Sequence, residues 1–183
     1  MIKAIVFDVG GVLLRTEDAS KRRLLEKKHG LDTNSVEKLV FDSKSAQEST
    51  IGLVDTQKIW QDIAEELDLS PEALQEFIED FWDGDRLDKN LVEYLKSCRP
   101  RFSTALLSNA WTDARQAFAN KFGIIDKKTV DHIIISAEEG VAKPDERIYQ
   151  ILSEKVGYEF NQILFIDDFL ENIRAAENLG MHT

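Results

Sequence analysis

Four short apolar runs, separated by segments with helical periodicity, constrain the fold of this chain more than any other feature. Each run is rich in β-branched or aromatic residues and has the length of a buried strand. Strands that are apolar throughout and alternate with helices are typical of a parallel sheet with helices on both faces. We therefore predict an α/β fold with a Rossmann-like parallel sheet. The runs are KAIVF at 3–7, FSTALLS at 102–108, HIIIS at 132–136 and QILFID at 162–167.

The segment 17–86 interrupts this alternation. It contains no good strand and several amphipathic helical patterns, with Asp55 and Ser70 placed as helix N-caps. We predict that it forms a small all-helical cap, inserted after the first strand into a core domain of residues 1–16 and 87–183. Four aromatic residues at helical spacing are expected to form the interior of this cap. They are Trp60, Phe77, Phe81 and Trp82.

Charge and composition exclude several classes of protein. The 183 residues include 23 Lys and Arg against 34 Asp and Glu, a formal net charge of −11. This sign repels phosphate backbones, so we expect no nucleic-acid partner. No apolar run has membrane-spanning length and no signal peptide is recognisable, so we expect no membrane partner and a cytoplasmic location. We expect the protein to be a monomer or a homodimer. The single cysteine, Cys98, fits a reducing compartment.

Acidic residues follow the first and last predicted strands. Asp8 ends the first run, and Asp167 and Asp168 end the last. The carboxyl ends of parallel strands meet at one edge of a sheet, where ligands of such folds bind. Clustered carboxylates repel one another unless a hard cation lies between them, and Mg²⁺ prefers oxygen ligands. The pattern therefore favours a magnesium site, although each aspartate alone could be an ordinary turn former or helix cap.

Neutral and basic side chains are expected at the same edge. Ser108 and Asn109 follow the second run, and Lys143 follows the third. A hydroxyl and an amide can donate hydrogen bonds to phosphoryl oxygens, and an ammonium group can neutralise both a carboxylate and a phosphate. These groups together with the acids indicate phosphoryl chemistry.

In this order, the four segments resemble the four motifs of the haloacid dehalogenase superfamily of hydrolases. FDVGGVL is similar to the first motif, LLSNA to the second, Lys143 in AKPDERIY to the third, and FIDDFLENIRAAENLGM to the fourth. The resemblance covers nearly the whole chain, and the predicted insert is similar to the helical cap of that superfamily. It is closest to a branch with FD-x-G-G or FD-x-G-N that includes sugar-phosphate phosphatases.

The resemblance implies a magnesium-dependent phosphatase acting on a small-molecule phosphate ester, for instance a sugar phosphate. Asp8 would be the nucleophile that forms an aspartyl-phosphate, and Lys143 would pair with it. Asp8, the backbone carbonyl of Gly10 and Asp168 would bind Mg²⁺, with Asp167 acting through a water molecule.

The resemblance also implies how the phosphate is held. Ser108, Asn109 and Gly11 would bind it. Asn172 occupies a position where many relatives carry another acid, and it would support the metal ligands from behind.

Two positions depart from the usual phosphatase pattern. Most phosphatases of the superfamily carry Asp where Gly10 stands, and that residue protonates the leaving group and activates water. Such acid–base catalysis is worth roughly 10²–10⁴ in rate. Val12 replaces the usual Thr near the phosphate. We therefore predict that Asp8 remains a catalyst. Protonation of the leaving group should be weakened, so good leaving groups such as anomeric phosphates should be preferred.

Two other functions stay open from the sequence. A 2-haloacid dehalogenase also uses an aspartate nucleophile but no metal, which would leave Asp167 and Asp168 without a purpose. A non-catalytic binding or regulatory protein on the same fold is the second alternative, since a fold alone does not establish activity. The retained Asp8 and Lys143 speak against it.

The segment QESTIGLVDT at 47–56 is our candidate for a part of the cap that contacts substrate. Gly52 can bend a loop, and Ser49 and Thr50 offer hydroxyl groups to a sugar. An ordinary connection between two helices explains the segment equally well. The chain ends at MHT, where relatives continue into another strand, so we expect a sheet edge to be missing.

Overall fold

The chain folds into strands and helices that follow the predicted alternation. The computed structural model describes residues 1–99, 101–124 and 129–183. In chain order the elements are β1 (Ala4–Phe7), β2 (Leu14–Thr16), α1 (Ser20–His29), α2 (Val36–Phe41), α3 (Lys44–Thr50), α4 (Thr56–Glu66), α5 (Pro71–Trp82), β3 (Asp85–Leu87), α6 (Lys89–Cys98), β4 (Ser103–Ser108), α7 (Ala114–Asn120), β5 (His132–Ile135), α8 (Ser136–Glu139), α9 (Glu146–Val156), a 3₁₀ turn (Phe160–Gln162), β6 (Ile163–Ile166) and α10 (Leu170–Asn178).

The four predicted strands form one parallel sheet in the order β5, β4, β1, β6. The register pairs Phe7 with Leu106 on one side of β1 and with Ile166 on the other. The ladder continues one step further, because the Asp8 N–H donates to the Ile166 carbonyl at 2.8 Å. The residues that follow these strands therefore emerge side by side, as the alternation predicted.

Helices cover both faces of the sheet. Ile5 and Phe7 of β1 lie in one hydrophobic cluster with side chains of α6 and α7, whereas Ala4 and Val6 lie in a second cluster with side chains of α9 and α10. Successive residues of a strand point to opposite faces, so a strand that is apolar throughout can serve two cores. The predicted α/β class is confirmed.

Residues 17–84 form the five helices α1 to α5. The predicted caps are present: an Asp55 carboxylate oxygen accepts the Gln57 N–H at 2.9 Å, and the Ser70 hydroxyl accepts the Ala73 N–H at 3.3 Å. The helices enclose their own hydrophobic cluster, which contains all four predicted aromatic residues. Among the described residues, no helix combines the length and the apolar character of a membrane-spanning segment.

Strands β2 and β3 and helix α3 differ from the sequence predictions. Strands β2 and β3 form an antiparallel ribbon that pairs Leu14 with Leu87 and Thr16 with Asp85, so the prediction of no strand within 17–86 is wrong at its end. Strands of three residues are too short to show an alternating pattern. Helix α3 covers the first half of the segment 47–56, and begins after Ser43, whose hydroxyl accepts the Ala46 N–H.

Besides an aromatic cluster, two contacts hold the helical segment against the sheet unit. At the first, Gly52 has a φ of +73°, and a Cβ built there would lie 2.3 Å from the Ala137 carbonyl oxygen. At the second, the Thr56 N–H donates to the Thr112 hydroxyl at 2.9 Å, and the Thr56 hydroxyl donates to Asp113 at 2.9 Å. The start of α4 is thereby tied to the start of α7.

A cluster of aromatic rings joins the two parts of the chain. Trp111, which follows β4, lies with its ring centroid 5.7 Å from that of Phe41, 5.9 Å from that of Trp60 and 6.1 Å from that of Trp82. Aromatic pairs at these separations stabilise a contact beyond their buried area. All three tryptophans of the chain belong to this cluster.

Candidate active site

Asp8 lies at the carboxyl end of β1 and is 8% exposed. Its Oδ1 atom accepts the Val9 N–H at 2.6 Å and lies 3.0 Å from the Lys143 ammonium. Burial raises the pKa of the Asp8 carboxyl to about 6, and the negative charge of Asp167 adds to this effect. The Lys143 ammonium and the Val9 N–H oppose it and do not cancel it. Burial thus destabilises the charged form of this carboxylate, and a cation bound beside it would offset that cost.

Lys143 is held by the sheet itself. Its side chain is 1% exposed, and its Nζ atom donates to the Leu107 carbonyl at 3.1 Å and to Asp167 Oδ2 at 2.6 Å. The ammonium group also forms an ion pair with Asp8 at 3.0 Å. Lys143 therefore places a positive charge between the carboxylates of Asp8 and Asp167. Its predicted catalytic role stays a prediction.

The two adjacent aspartates after β6 lie in different surroundings. The Asp167 side chain is fully buried, and it accepts hydrogen bonds from the Phe169 N–H at 2.8 Å and from the Asn172 amide at 3.0 and 3.1 Å, besides its bond with Lys143. Asp168 is exposed. Since the oxygens of Asp167 are already occupied, Asp168 is the one better placed to contact a ligand directly.

Three carboxylates come close enough to share one ion. Oxygen atoms of Asp8, Asp167 and Asp168 all lie within 4.8 Å of one another. Three carboxylates and the Lys143 ammonium sum to −3 + 1 = −2. A hard divalent cation with oxygen ligands fits this donor set in both chemistry and charge.

Gly11 makes room for this cluster. Its φ is +74°, and a Cβ built on it would lie 2.1 Å from Asp168 Oδ2. Any other residue would therefore be strained and would displace the Asp168 carboxylate. The Gly11 N–H donates to the Leu14 carbonyl at 2.9 Å within the turn. In this structure Gly11 therefore leaves space for the Asp168 side chain. Its phosphate-binding role stays a prediction.

Gly10 is under no such constraint. Its φ lies outside the left-handed region, and a Cβ built there meets no atom within 4 Å. The backbone therefore does not require glycine at this position, and the departure from the usual phosphatase pattern is chemical rather than conformational.

The second predicted pair lies where β4 ends. Ser108 is the last residue of β4 and is buried, and the Asn109 side chain forms two hydrogen bonds with the backbone of Lys143. The loop that follows is held by Ser136, whose hydroxyl accepts the Ala110 N–H at 3.0 Å. Ser136 was not predicted from the sequence. The only indication was its position at the end of the apolar run HIIIS.

In the segment 47–56, one predicted hydroxyl group is buried and the other bonds to the backbone of its own helix. Ser49 is fully buried in α3, and the Thr50 hydroxyl donates to the Ala46 carbonyl at 2.8 Å. Gly52 packs against Ala137. The segment joins α3 to α4 and contacts the sheet unit, and its role in substrate binding stays a prediction.

The chain matches a known family over almost its whole length. A model of the haloacid dehalogenase-like hydrolases matches residues 2–180. The chain therefore belongs to this family of hydrolases, and the resemblance carried by its four motifs is confirmed. The particular branch within the family stays a prediction.

Individual relatives are distant. The phosphatase MT3486 of Mycobacterium tuberculosis (strain CDC 1551 / Oshkosh) is 26% identical over 193 residues, covering 98% of this chain and 85% of that protein. The acyl-CoA dehydrogenase family member 10 of Mus musculus is 32% identical over 80 residues, which are 44% of this chain and 7% of that much longer protein. The match thus joins less than half of this chain to a small part of that second relative.

Solved structures of the family share the fold. A HAD-family enzyme of Bacteroides thetaiotaomicron, in complex with magnesium and inorganic phosphate, superposes with a TM-score of 0.80 at 22% identity, over 100% of this chain and 93% of that one. The L-2-haloacid dehalogenase of Xanthobacter autotrophicus gives a TM-score of 0.68 at 22% identity, over 99% of this chain and 76% of that one. At these identities the likeness establishes the fold alone.

Proposed function

We propose that the protein is a magnesium-dependent phosphatase that hydrolyses a small phosphate ester through an aspartyl-phosphate at Asp8. The observation that carries this proposal is the close approach of Asp8 and Asp168, which follow the neighbouring strands β1 and β6, with the Lys143 ammonium 3.0 Å from Asp8. The similarity to a mycobacterial phosphatase, and to the fold of an enzyme crystallised with magnesium and phosphate, supports it.

The metal would be held by Asp8, Asp168 and the backbone carbonyl of Gly10, with Asp167 acting through water. When bound, Mg²⁺ would neutralise the surplus negative charge of the carboxylates and of the incoming phosphate. Asp167 would meanwhile keep Lys143 in place, and the Asn172 amide would keep Asp167 oriented.

The reaction has two displacement steps. In the first, a carboxylate oxygen of Asp8 forms a bond to phosphorus as the bond from phosphorus to the leaving oxygen breaks. The leaving oxygen takes a proton from water or from a group of the helical segment. In the second step a water oxygen attacks phosphorus, the bond to Asp8 breaks, and inorganic phosphate is released. Lys143 stabilises the negative charge in both steps, and Ser108 would donate a hydrogen bond to the phosphoryl group.

We further propose that segment 17–86 acts as a cap on a core domain of residues 1–16 and 87–183. The β2–β3 ribbon forms the base of the segment, and Gly84 lies so close to Asp18 that a Cβ would come within 1.7 Å of its carbonyl oxygen. The contacts through Gly52 and Thr56 hold the segment against the sheet unit. A cap in this position would exclude water from the reaction.

Substrate assays separate phosphatase from dehalogenase activity. We expect phosphate release from a panel of phosphate esters in the presence of Mg²⁺, and none when EDTA removes the metal. Halide release from 2-haloacids, unaffected by EDTA, would instead establish the dehalogenase alternative, which requires no metal and leaves Asp168 without a role.

Restoring the usual acid at position 10 is expected to change the leaving-group preference. In wild type, kcat/KM should fall steeply as the pKa of the leaving group rises, because no residue at position 10 supplies a proton. Gly10→Asp should raise kcat/KM for simple alkyl phosphates by roughly 10-fold or more, with little change for activated esters. A Cβ at position 10 meets no atom within 4 Å, so the first atom of the new side chain has room. The measurement is kcat/KM for a series of phosphate esters.

Gly10→Asn is the matched control, since it has nearly the same shape and no titratable proton. An equal gain in Gly10→Asn and Gly10→Asp would contradict the proton-transfer explanation. So would a wild-type enzyme whose chemical step is indifferent to leaving-group pKa.

A methyl group at position 11 is expected to damage the metal site. Gly11→Ala should weaken Mg²⁺ binding by about 10–100-fold, because the new Cβ displaces the Asp168 carboxylate. Gly10→Ala, next to it in open space and with an ordinary φ, should bind Mg²⁺ like wild type. Calorimetric titration of the folded variants with Mg²⁺ checks this. Wild-type affinity in folded Gly11→Ala would mean that Asp168 does not bind the metal.

A further inference from the structure

Asn109 and Lys143 form a reciprocal pair of hydrogen bonds. The Asn109 amide nitrogen donates to the Lys143 carbonyl at 2.8 Å, and the Asn109 amide oxygen accepts the Lys143 N–H at 2.8 Å. One side chain therefore satisfies both backbone groups of residue 143. These groups belong to the loop between α8 and α9, where no helix or strand of the described chain provides partners for them.

The end of β4 thereby holds Lys143 at three points. Asn109 fixes its backbone on both sides, and the Leu107 carbonyl accepts a hydrogen bond from its Nζ atom at 3.1 Å. The ammonium group reaches Asp8 and Asp167 from this anchored backbone. Since the Lys side chain has four rotatable bonds, a defined starting point for the chain is needed to place its end accurately.

We propose that Asn109 is a positioning residue whose contribution to hydrolysis passes through Lys143 rather than through a direct contact with the phosphate. This rests on the proposed function, in which Lys143 stabilises the transferring phosphoryl group. Placement errors of about 1 Å at a catalytic group can cost roughly 100-fold in rate, so two hydrogen bonds on the backbone of that group matter.

Chemical labelling of lysines tests the structural half of this proposal without any assay of activity. In wild type Lys143, at 1% side-chain exposure, should be acetylated far more slowly than Lys44, at 88%. Asn109→Ala should speed the labelling of Lys143 at least about 10-fold, with Lys44 unchanged as internal reference. Asn178→Ala, which alters an exposed residue at the end of α10, should leave both rates unchanged. The labelling rates are read from peptides by mass spectrometry.

A double-mutant cycle tests the catalytic half. Asn109→Ala alone should lower kcat for an activated phosphate ester by about 10–100-fold, with KM nearly constant. In the Lys143→Ala background the same substitution should change the residual activity by less than about two-fold, since the group through which it acts is gone. A direct phosphate contact would instead give the same loss in both backgrounds and a higher KM.

The two measurements fail independently. If Lys143 stays as protected in folded Asn109→Ala as in wild type, the positioning role is overturned, whether or not the protein is a phosphatase. Equal losses in the two backgrounds of the cycle would likewise overturn it. Lysine exposure that depends on Asn109 in a protein that hydrolyses no phosphate ester would leave the anchoring correct and the proposed function wrong.

Discussion

Asp8→Asn is expected to reduce phosphate-ester hydrolysis by on the order of 10⁴-fold or more. An amide nitrogen or oxygen cannot attack phosphorus to form the acyl phosphate, and the replacement keeps the size and most contacts of the side chain. The loss should appear in kcat, measured with Mg²⁺ and an activated ester. Activity near the wild-type level in Asp8→Asn would rule out the covalent mechanism.

The same substitution should stabilise the metal-free protein at neutral pH. The folded-state pKa of Asp8 is about 6, against an ordinary value of 3.8 in the unfolded chain. The folded state therefore holds the proton more tightly, and ionised Asp8 lowers the free energy of unfolding as pH rises from about 4 to 6. Above pH 6 the full cost is present, at most about 3 kcal/mol for a shift of this size. Asp8→Asn removes it.

Chemical denaturation in EDTA at pH 4 and pH 7.5 checks this expectation. The variant should exceed wild type in free energy of unfolding at pH 7.5 and match it more closely at pH 4. Adding Mg²⁺ should narrow the gap at pH 7.5, because a bound cation stabilises the ionised wild-type carboxylate. A variant less stable than wild type at pH 7.5 would show that burial of ionised Asp8 does not destabilise the folded protein.

Lys143→Ala is expected to lower hydrolysis by about 10²–10³-fold. The substitution leaves Asp8 and Asp167 without the ammonium group that lies 3.0 and 2.6 Å from them, and removes positive charge from the transferring phosphoryl group. Mg²⁺ affinity should not fall, since the net charge of the site changes from −2 to −3 when the ammonium group is removed. Kinetics and metal titration on the same samples separate the two effects.

Lys155→Ala is the matched control for charge. Lys155 forms a surface ion pair with Glu139, and such exposed pairs contribute little to stability or function. Activity and Mg²⁺ binding in Lys155→Ala should equal those of wild type. A comparable loss in both lysine variants would mean that Lys143 acts through net charge and not through its place beside Asp8.

Much of the sheet and of the site could be predicted from the sequence because the rules involved are local. Apolar β-branched runs such as KAIVF define strands, and a parallel sheet then brings Asp8 and Asp167 to the same edge. That β1 and β6 are neighbours comes from the structure, since the strand order was not predicted. The helix caps at Asp55 and Ser70 are likewise local, since each bonds a backbone N–H two or three residues on.

Features that depend on how loops dock could not be predicted. The close approach of Gly11 to Asp168 joins residues far apart in sequence, as does the pair formed by Asn109 and Lys143. The residues next to them in sequence do not indicate either contact. The raised pKa of Asp8 also needs the three-dimensional structure, because burial is its main cause.

Trapping the phosphorylated enzyme tests the central proposal most directly. A single turnover of a radiolabelled phosphate ester with Mg²⁺ is stopped by acid, and the labelled peptide is mapped. We predict label on Asp8, sensitive to hydroxylamine as an acyl phosphate is, absent in EDTA and absent in Asp8→Asn. Label on another residue, or hydrolysis that continues in Asp8→Asn without a phosphorylated enzyme, would contradict the account.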